Sequence, residues 1–129
     1  MTVLAPIVPG LWTDEAEPRL IGGRRPDGEV VIPLPSGDAA DALETVALSR
    51  RGTLWSWTRQ DFEPKPPYDG PRPFAPFLVG YVELAEVIVE TRIVGAELGD
   101  LRLGLPMVLT IVPFDAARSI YAFRPEQST

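Results

Sequence analysis

The chain has 129 residues, enough for one domain with a real core and too few for two comfortable ones. Apolar residues make up 45% and aromatic residues 9%, a globular composition. The formal net charge is −6, and Cys and His are both absent. Those absences exclude thiol nucleophiles, disulfides, thiolate metal sites and imidazole general bases. Schiff-base chemistry has a single candidate, Lys65. Nucleic-acid binders neutralise phosphates with Lys and Arg, so an acidic chain with scattered arginines fits that role poorly. An anionic membrane surface is disfavoured for the same reason. No apolar run reaches the ~18 residues of a membrane span. No basic segment precedes an apolar stretch at the N-terminus, and a soluble cytoplasmic protein is expected.

Residues 1–19 form an arm punctuated by Pro6, Pro9 and Pro18. Within it "LWTDEAEPRL" reads as one helical turn, with Thr13 as cap and acidic residues in the first turn. Trp12 reads as an anchor that docks the arm on the body. The next stretch, "GGRRPDGEVVIPLPSGD" (22–38), reads as a small β-hairpin. Arg25-Pro26-Asp27-Gly28 has the residues of a tight turn, and Val30-Val31-Ile32 begins a strand that Pro33 and Pro35 stop. So short a β element has little core of its own and usually needs a staple. A short helical turn is expected over Ala39–Leu43, capped by Ser36 or Asp38, and "ETVAL" then reads as a strand.

From Arg51 the pattern is strongly β. "GTLWSWTRQ" (52–60) is rich in β-formers. "FLVGYVEL" (77–84) is nearly continuous apolar, and Gly80 inside it marks a bulge or bend. In "VIVETRIV" (87–94), Val87, Val89, Thr91 and Ile93 share one face while Ile88, Glu90, Arg92 and Val94 share the other. "PMVLTIVPF" (106–114) starts and nearly ends with proline, which predicts strand ends or an edge. "SIYAF" (119–123) closes the set. Between the third and fourth of these strands, Glu97–Leu101 has room for one helical turn. Five strands with that insertion give the element order of an OB-fold, a five-stranded Greek-key barrel in the all-β class. An SH3-like barrel is the alternative, and it normally lacks the insertion. The division expected is an arm (1–19), a hairpin (20–48), a barrel (49–125) and a tail (126–129).

Residues 61–76, "DFEPKPPYDGPRPFAP", carry six prolines between the first and second barrel strands. OB-folds place a variable binding loop there. Proline stiffens such a loop, so Phe62, Tyr68 and Phe74 can be held outward at low entropic cost. The competing reading is a surface connector. Arg59, Lys65 and Arg72 lie in or beside the same segment and suit phosphate, although Asp61, Glu63 and Asp69 balance them. Trp55 and Trp57, two residues apart, are expected on one face of their strand. They read either as barrel wall or as an exposed platform for a base or a partner's apolar surface. Glu90 and Arg92 share a face and suit cross-strand pairing. Glu83 and Glu86 read as solvated carboxylates at a strand end, close enough for mutual repulsion to raise a pKa.

Several motifs in order resemble one family. They are "LIGGRR" (20–25), "VVIP" (30–33), "ALSRRGTLWSWT" (47–58), "PPYDGP" (66–71), "VGYVEL" (79–84), "DLRLGLPM" (100–107) and "YAFRP" (121–125). This ordered set resembles the thiolase-associated, or acyl-CoA-associated, proteins that join a rubredoxin-like zinc ribbon to an OB-fold. Metal-binding members carry two Cys-x-x-Cys pairs. Here Arg25 and Gly28 stand about where the first pair would be, and the second falls within "SGDAADALE" without sulfur. The resemblance therefore implies a degenerate ribbon that folds without zinc, held by the 25–28 turn, the prolines, and packing of Val30, Ile32, Leu34 and Leu43.

The resemblance also implies the role. Similar proteins look like auxiliary subunits of thiolase-fold enzymes or hydratases that act on CoA thioesters in lipid metabolism, with the catalytic groups supplied by the enzyme. No catalytic residue and no cofactor of its own is expected for this chain, although a CoA thioester is expected at the interface. Contacts are expected from Trp55, Trp57, Phe62, Tyr68, Phe74 and Phe77 on the apolar side, and from Arg59, Lys65 and Arg72 toward phosphate or a carboxylate-bearing partner. "VLTIV" would be sticky as an exposed edge strand, which points to a homo-oligomer or a stable partner. Two other classes compete. One is a single-strand nucleic-acid-binding OB module. The other is a small hydrolase using Ser56 or paired acids, for which no base is placed.

Overall fold

The structure is a computed structural model, and it describes residues 5–6, 11–32, 42–60 and 76–126. Nine strands and one 3-10 turn are present among the described residues. They are β1 (Ala5–Pro6), β2 (Ile21–Arg24), β3 (Val30–Val31), β4 (Glu44–Ala47), β5 (Arg51–Gln60), β6 (Phe77–Glu83), β7 (Ile88–Ile93), β8 (Pro106–Pro113) and β9 (Arg118–Pro125), with the turn at Leu98–Asp100. No helix among these residues is long and apolar enough to cross a membrane.

The last five strands close on themselves. β5 pairs antiparallel with β6, β6 with β7, and β8 with both β5 and β9, while β7 and β9 run parallel. That circuit, with a short turn between its third and fourth strands, is the OB-fold expected from the pattern. Closure removes the need for edge strands. Pro106 and Pro113 do mark the ends of β8. However, β8 is not a simple edge, because its first residues pair with Arg51–Thr53 on one side and with β9 on the other. The faces assigned to 87–94 hold: Val89, Thr91 and Ile93 are buried, and Ile88 and Glu90 are exposed.

Gly80 does something other than bend its strand. The ladder slips between Leu54 and Ser56, so the bulge lies in the partner strand β5. A Cβ on Gly80 would stand 2.6 Å from the Ser56 carbonyl oxygen and 2.6 Å from Ile93 Cδ1. Glycine is present because two strands and a core side chain converge there.

β2, β3 and β4 form a separate three-stranded antiparallel sheet, the hairpin expected at 22–38 together with the "ETVA" strand. Its tight turn is a three-residue loop of the type I plus glycine-bulge kind. Gly28 N–H donates to Arg25 O, Arg25 N–H donates to Glu29 O, and Gly28 has φ +93°. The Asp27 carboxylate accepts from Glu29 N–H at 2.9 Å. Arg25 and Gly28 thus form the ends of a hydrogen-bonded turn, and neither offers a metal ligand.

The hairpin shares the barrel's core. Leu20 and Leu48, both 0% exposed, belong to one cluster with Leu54, Val82, Met107, Leu109 and Phe123. Burying a leucine is worth about 2 kcal/mol, so these two alone supply about 4 kcal/mol of anchoring. Val30 and Ile32 pack on the same cluster, as expected, and so does Trp12. Leu43 is half-buried. Leu34 and most of the turn expected over Ala39–Leu43 lie outside the described residues.

Polar groups stitch the same junction. Arg19 Nε donates to Leu48 O and Arg19 Nη2 to Ala47 O, both at 2.8 Å. Arg50 Nε donates to Pro18 O at 3.0 Å, and its Nη2 to Leu109 O at 3.2 Å. The helical turn expected in "LWTDEAEPRL" is absent. Trp12 and Leu20 form a β-bridge instead, and the Thr13 hydroxyl accepts from Arg19 N–H at 3.0 Å. Thr13 closes a loop there, because pairing Leu11–Trp12 with Leu20–Ile21 satisfies more backbone groups than a single helical turn would.

Glu86 completes the junction and corrects the solvated reading. Its carboxylate accepts from Ser49 N–H at 2.9 Å and from Ser49 Oγ at 2.8 Å. Partial burial pushes the carboxyl up, but the Ser49 hydrogen bonds and the Arg19 charge outweigh it, and Glu86 ends below its ordinary value.

These bonds set two stability outcomes. Arg19→Ala is expected to cost about 2–3 kcal/mol in denaturant unfolding, since it removes two charge-assisted bonds from strand-end carbonyls. Amide exchange should then speed up first in β2 and β4, and a uniform change across the barrel would refute this. A carboxyl held below its ordinary value stabilises the fold while it is ionised. That contribution is present above about pH 4.5, the ordinary value, and is lost as pH falls through the lower folded-state value. Glu86→Gln is expected to be less stable near neutrality and to show a flatter acid limb, whereas an acid limb parallel to wild type would remove Glu86 from the junction's energetics.

Candidate functional site

In OB-folds the outer face of the second and third strands, between the loop joining the first two strands and the loop joining the last two, is the usual binding surface. Here that face belongs to β6 and β7. Alternation turns Phe77, Val79, Tyr81 and Glu83 of β6 away from the core cluster, together with Ile88, Glu90 and Arg92 of β7. Register sets Tyr81 opposite Glu90 and Val79 opposite Arg92.

The bulge in β5 decides where the two tryptophans go. It adds one residue between Leu54 and Ser56, which flips the alternation. Trp57 lies opposite Gly80 and packs on the core cluster. Trp55 is 56% exposed and meets Tyr81 edge-on, with ring centroids 6.2 Å apart and planes at 87°. They are therefore not on one face: Trp57 is barrel wall and Trp55 is platform. Tyr81 and Ile88 beside it are 41% and 40% exposed.

At the opposite end of this face, cations and rings stack. The Arg92 guanidinium lies 3.8 Å above the Phe77 ring. It also lies 5.9 Å from Phe114, whose ring carries Arg118 at 5.1 Å. Arg118 is paired with Asp115 at 2.7 Å in the turn between β8 and β9, which leaves that end less positive than two arginines imply. Across the sheet, Arg92 thus stacks on Phe77 of β6, and Glu90, on the same face of β7, stands opposite Tyr81.

A groove of about 580 Å³ runs beside the face, lined by Ile32, Val79, Tyr81, Ile88, Ile120 and Tyr121 among others. It exists because β7 and β9 pair only at Arg92–Ala122 and Ile93–Phe123. Toward their other ends the strands part, and β1 pairs with Arg118 and Ser119 of β9. The Tyr121 hydroxyl spans the gap and donates to Glu90 O at 3.1 Å. Burial, reinforced by the Glu90 charge, raises the Tyr121 pKa above its ordinary 10.0. A second recess of about 410 Å³ lies between Arg59, Phe77 and the 3-10 turn, next to where the proline-rich segment leaves β5.

Of the contact residues expected from sequence, the structure brings Trp55 and Phe77 to the outer face and Arg59 to the second recess. Trp57 goes to the core side. Phe62, Lys65, Tyr68, Arg72 and Phe74 lie outside the described residues. Tyr81, Ile88, Phe114 and Tyr121 join the surface without having been expected there. The alternation in "FLVGYVEL" carries the signal for Tyr81, since an inward Gly80 forces its neighbour outward.

A family model described as "ChsH2, C-terminal OB-fold domain" matches residues 45–112. The chain belongs to this family. A solved structure described as "Ltp2-ChsH2(DUF35) aldolase" contains a similar chain, with a TM-score of 0.61 and 23% sequence identity. The likeness covers 83% of this chain and 84% of that one, and at such identity it speaks to the fold. No curated protein matches. The ChsH2 match spans β5, its bulge and the outer face of β6 and β7.

Tyr121 provides a check on the groove. Its phenol is expected to ionise above 10.0. A phenolate absorbance titration of wild type minus Tyr121→Phe should show the missing step on the alkaline side. A missing step at the ordinary value would mean that the hydroxyl is not held in the gap.

Proposed function

We propose that this chain is a non-catalytic auxiliary subunit that docks on a thiolase-like aldolase or a related CoA-thioester enzyme and borders its acyl-CoA site. The observation that carries this reading is membership in the ChsH2 OB-fold family over residues 45–112. The similar solved structure pairs ChsH2 with an aldolase in its name, which supports a partner of that kind.

The chemistry of the chain fits. Claisen-type and retro-aldol steps on thioesters need a nucleophile or a general base of suitable pKa. This sequence has neither Cys nor His, so the reacting groups come from the enzyme. The chain contributes a stiff barrel, an exposed aromatic pair and a groove. The proline-rich segment 61–76, with Arg72 and Lys65, is the part proposed to meet the phosphates of CoA, with Arg59 beside it. The hairpin is read as a degenerate ribbon that folds without zinc: the chain has no Cys or His to hold the metal, and the turn at 25–28 and the shared leucine core support this by anchoring the hairpin.

The test is co-expression with a thiolase-like enzyme from the same genome. Stable co-elution is expected, with enzyme activity on an acyl-CoA that drops when this chain is omitted. Separate elution of the two proteins, or thioester turnover by this chain alone, would overturn the proposal.

A further inference from the structure

We propose that the acidic end of the outer β6–β7 face, centred on the Trp55–Tyr81 pair, is the docking surface for the enzyme, and that the enzyme meets it with an apolar socket ringed by Arg or Lys. This rests on the auxiliary-subunit reading and adds the face and the chemistry of its counterpart.

Three observations converge there. First, a bulge separates Trp55 from Trp57. Counted back from the inward Trp57, regular alternation would turn Trp55 inward as well. Bulges re-aim side chains at working surfaces, and the edge-to-face contact with Tyr81 holds the ring before any partner arrives. Rigid aromatics of this kind give large contact area with little ordering cost.

Second, the apolar surface is continuous. Ile88 lies opposite Glu83 and diagonal to Tyr81 across the ladder, and both Tyr81 and Ile88 line the groove between β7 and β9. An aromatic knob beside an apolar groove is the usual centre of a protein–protein hot spot.

Third, the rim is acidic and unmatched. Glu83 and Glu90 are exposed, and neither carboxylate makes a hydrogen bond or an ion pair among the described residues. Two unneutralised carboxylates around exposed rings select a cationic counterpart. The same feature rejects a second copy of this chain. A two-fold contact through this patch would set Glu83 and Glu90 against their own images in a protein of net charge −6.

The experiment measures affinity for the co-expressed thiolase-like enzyme by titration calorimetry at low and high salt. The variants are Trp55→Ser, the double reversal Glu83→Arg/Glu90→Arg, and a control reversal at exposed Glu15 in the N-terminal loop. Thermal melting confirms that each folds. Trp55→Ser and the double reversal are expected to weaken binding about tenfold or more, with the control unchanged. Wild-type affinity should fall as salt rises, and that dependence should flatten or invert in the double reversal. If wild type binds the enzyme and both face variants bind within about twofold of it, the docking face is wrong and the auxiliary role stands. If wild type forms no complex, both readings fail. A salt-insensitive wild-type dimer that Trp55→Ser dissolves would also overturn the proposal, by assigning the patch to a second copy.

Discussion

Two guanidinium groups tie the arm, the hairpin and the barrel together at one point. Where β4 leads into β5 the chain passes from one sheet to another, and the carbonyls of Ala47 and Leu48 leave the ladder. A backbone acceptor stranded at such a crossing must find a donor or lose the worth of a hydrogen bond. Arg19 reaches both carbonyls with its fork, and Arg50 ties Pro18 on the arm to Leu109 on β8. Lysine has a single ammonium and no planar fork, so it would not span two carbonyls in this way. Ser49 then passes its own N–H and hydroxyl to Glu86, which fixes the β6–β7 turn to the same point. The residues of "ALSRR" therefore bind arm, hairpin and barrel together before any side chain reaches the outer face.

That junction gives a hairpin of few residues the anchoring it lacks by itself. A small β element is unstable when its apolar face has nothing to cover. Here Leu20 and Leu48 complete the barrel core, and the hairpin's outer strand reaches the groove through Ile32. A change in the hairpin would thus be felt at the groove wall through packing. The hairpin is part of the barrel's core, and its influence on the outer surface runs through the packing of Ile32 at the groove.

The barrel is legible in the sequence because each strand carries an alternation or an apolar run bounded by Gly and Pro. The faces of 87–94 can be assigned residue by residue, and the turn at Arg25–Gly28 follows from Pro-Asp-Gly chemistry. Two features resist. A bulge has no signature in "GTLWSWTRQ", because a residue count cannot reveal where the ladder slips, and the period-2 rule places Trp55 and Trp57 together. Side-chain bonds to distant carbonyls are equally silent, since nothing near Arg19 announces Ala47. The arm defeats the local pattern for a related reason: Thr13 followed by acidic residues is a helix-start signal, but pairing with Leu20 competes successfully once the chain doubles back. The outer face is half legible. Phe77 and Trp55 stand out as aromatics, while Tyr81 and Ile88 need the register to show which way they point.

Function must lie on the surface, and the packing says why. Leu54, Val82, Val89, Ile93, Met107, Leu109 and Phe123 fill the barrel, and Gly80 leaves no room even for a methyl group without displacing Ile93 or β5. A barrel of five strands encloses side chains and nothing more. Any ligand therefore meets this protein from outside. The outer face has two ends of different character. At one, Arg92 and Arg118 are committed to rings and to Asp115, so their charge is tempered. At the other, carboxylates flank exposed aromatics. A phosphate-bearing ligand has no reason to approach the acidic end, and a cationic protein surface has little to gain at the stacked end. The outer face is thus polarised along its strands: exposed rings flanked by carboxylates at the Trp55–Tyr81 end, and guanidinium groups stacked on rings at the Phe77–Phe114 end, so the two ends suit counterparts of different charge.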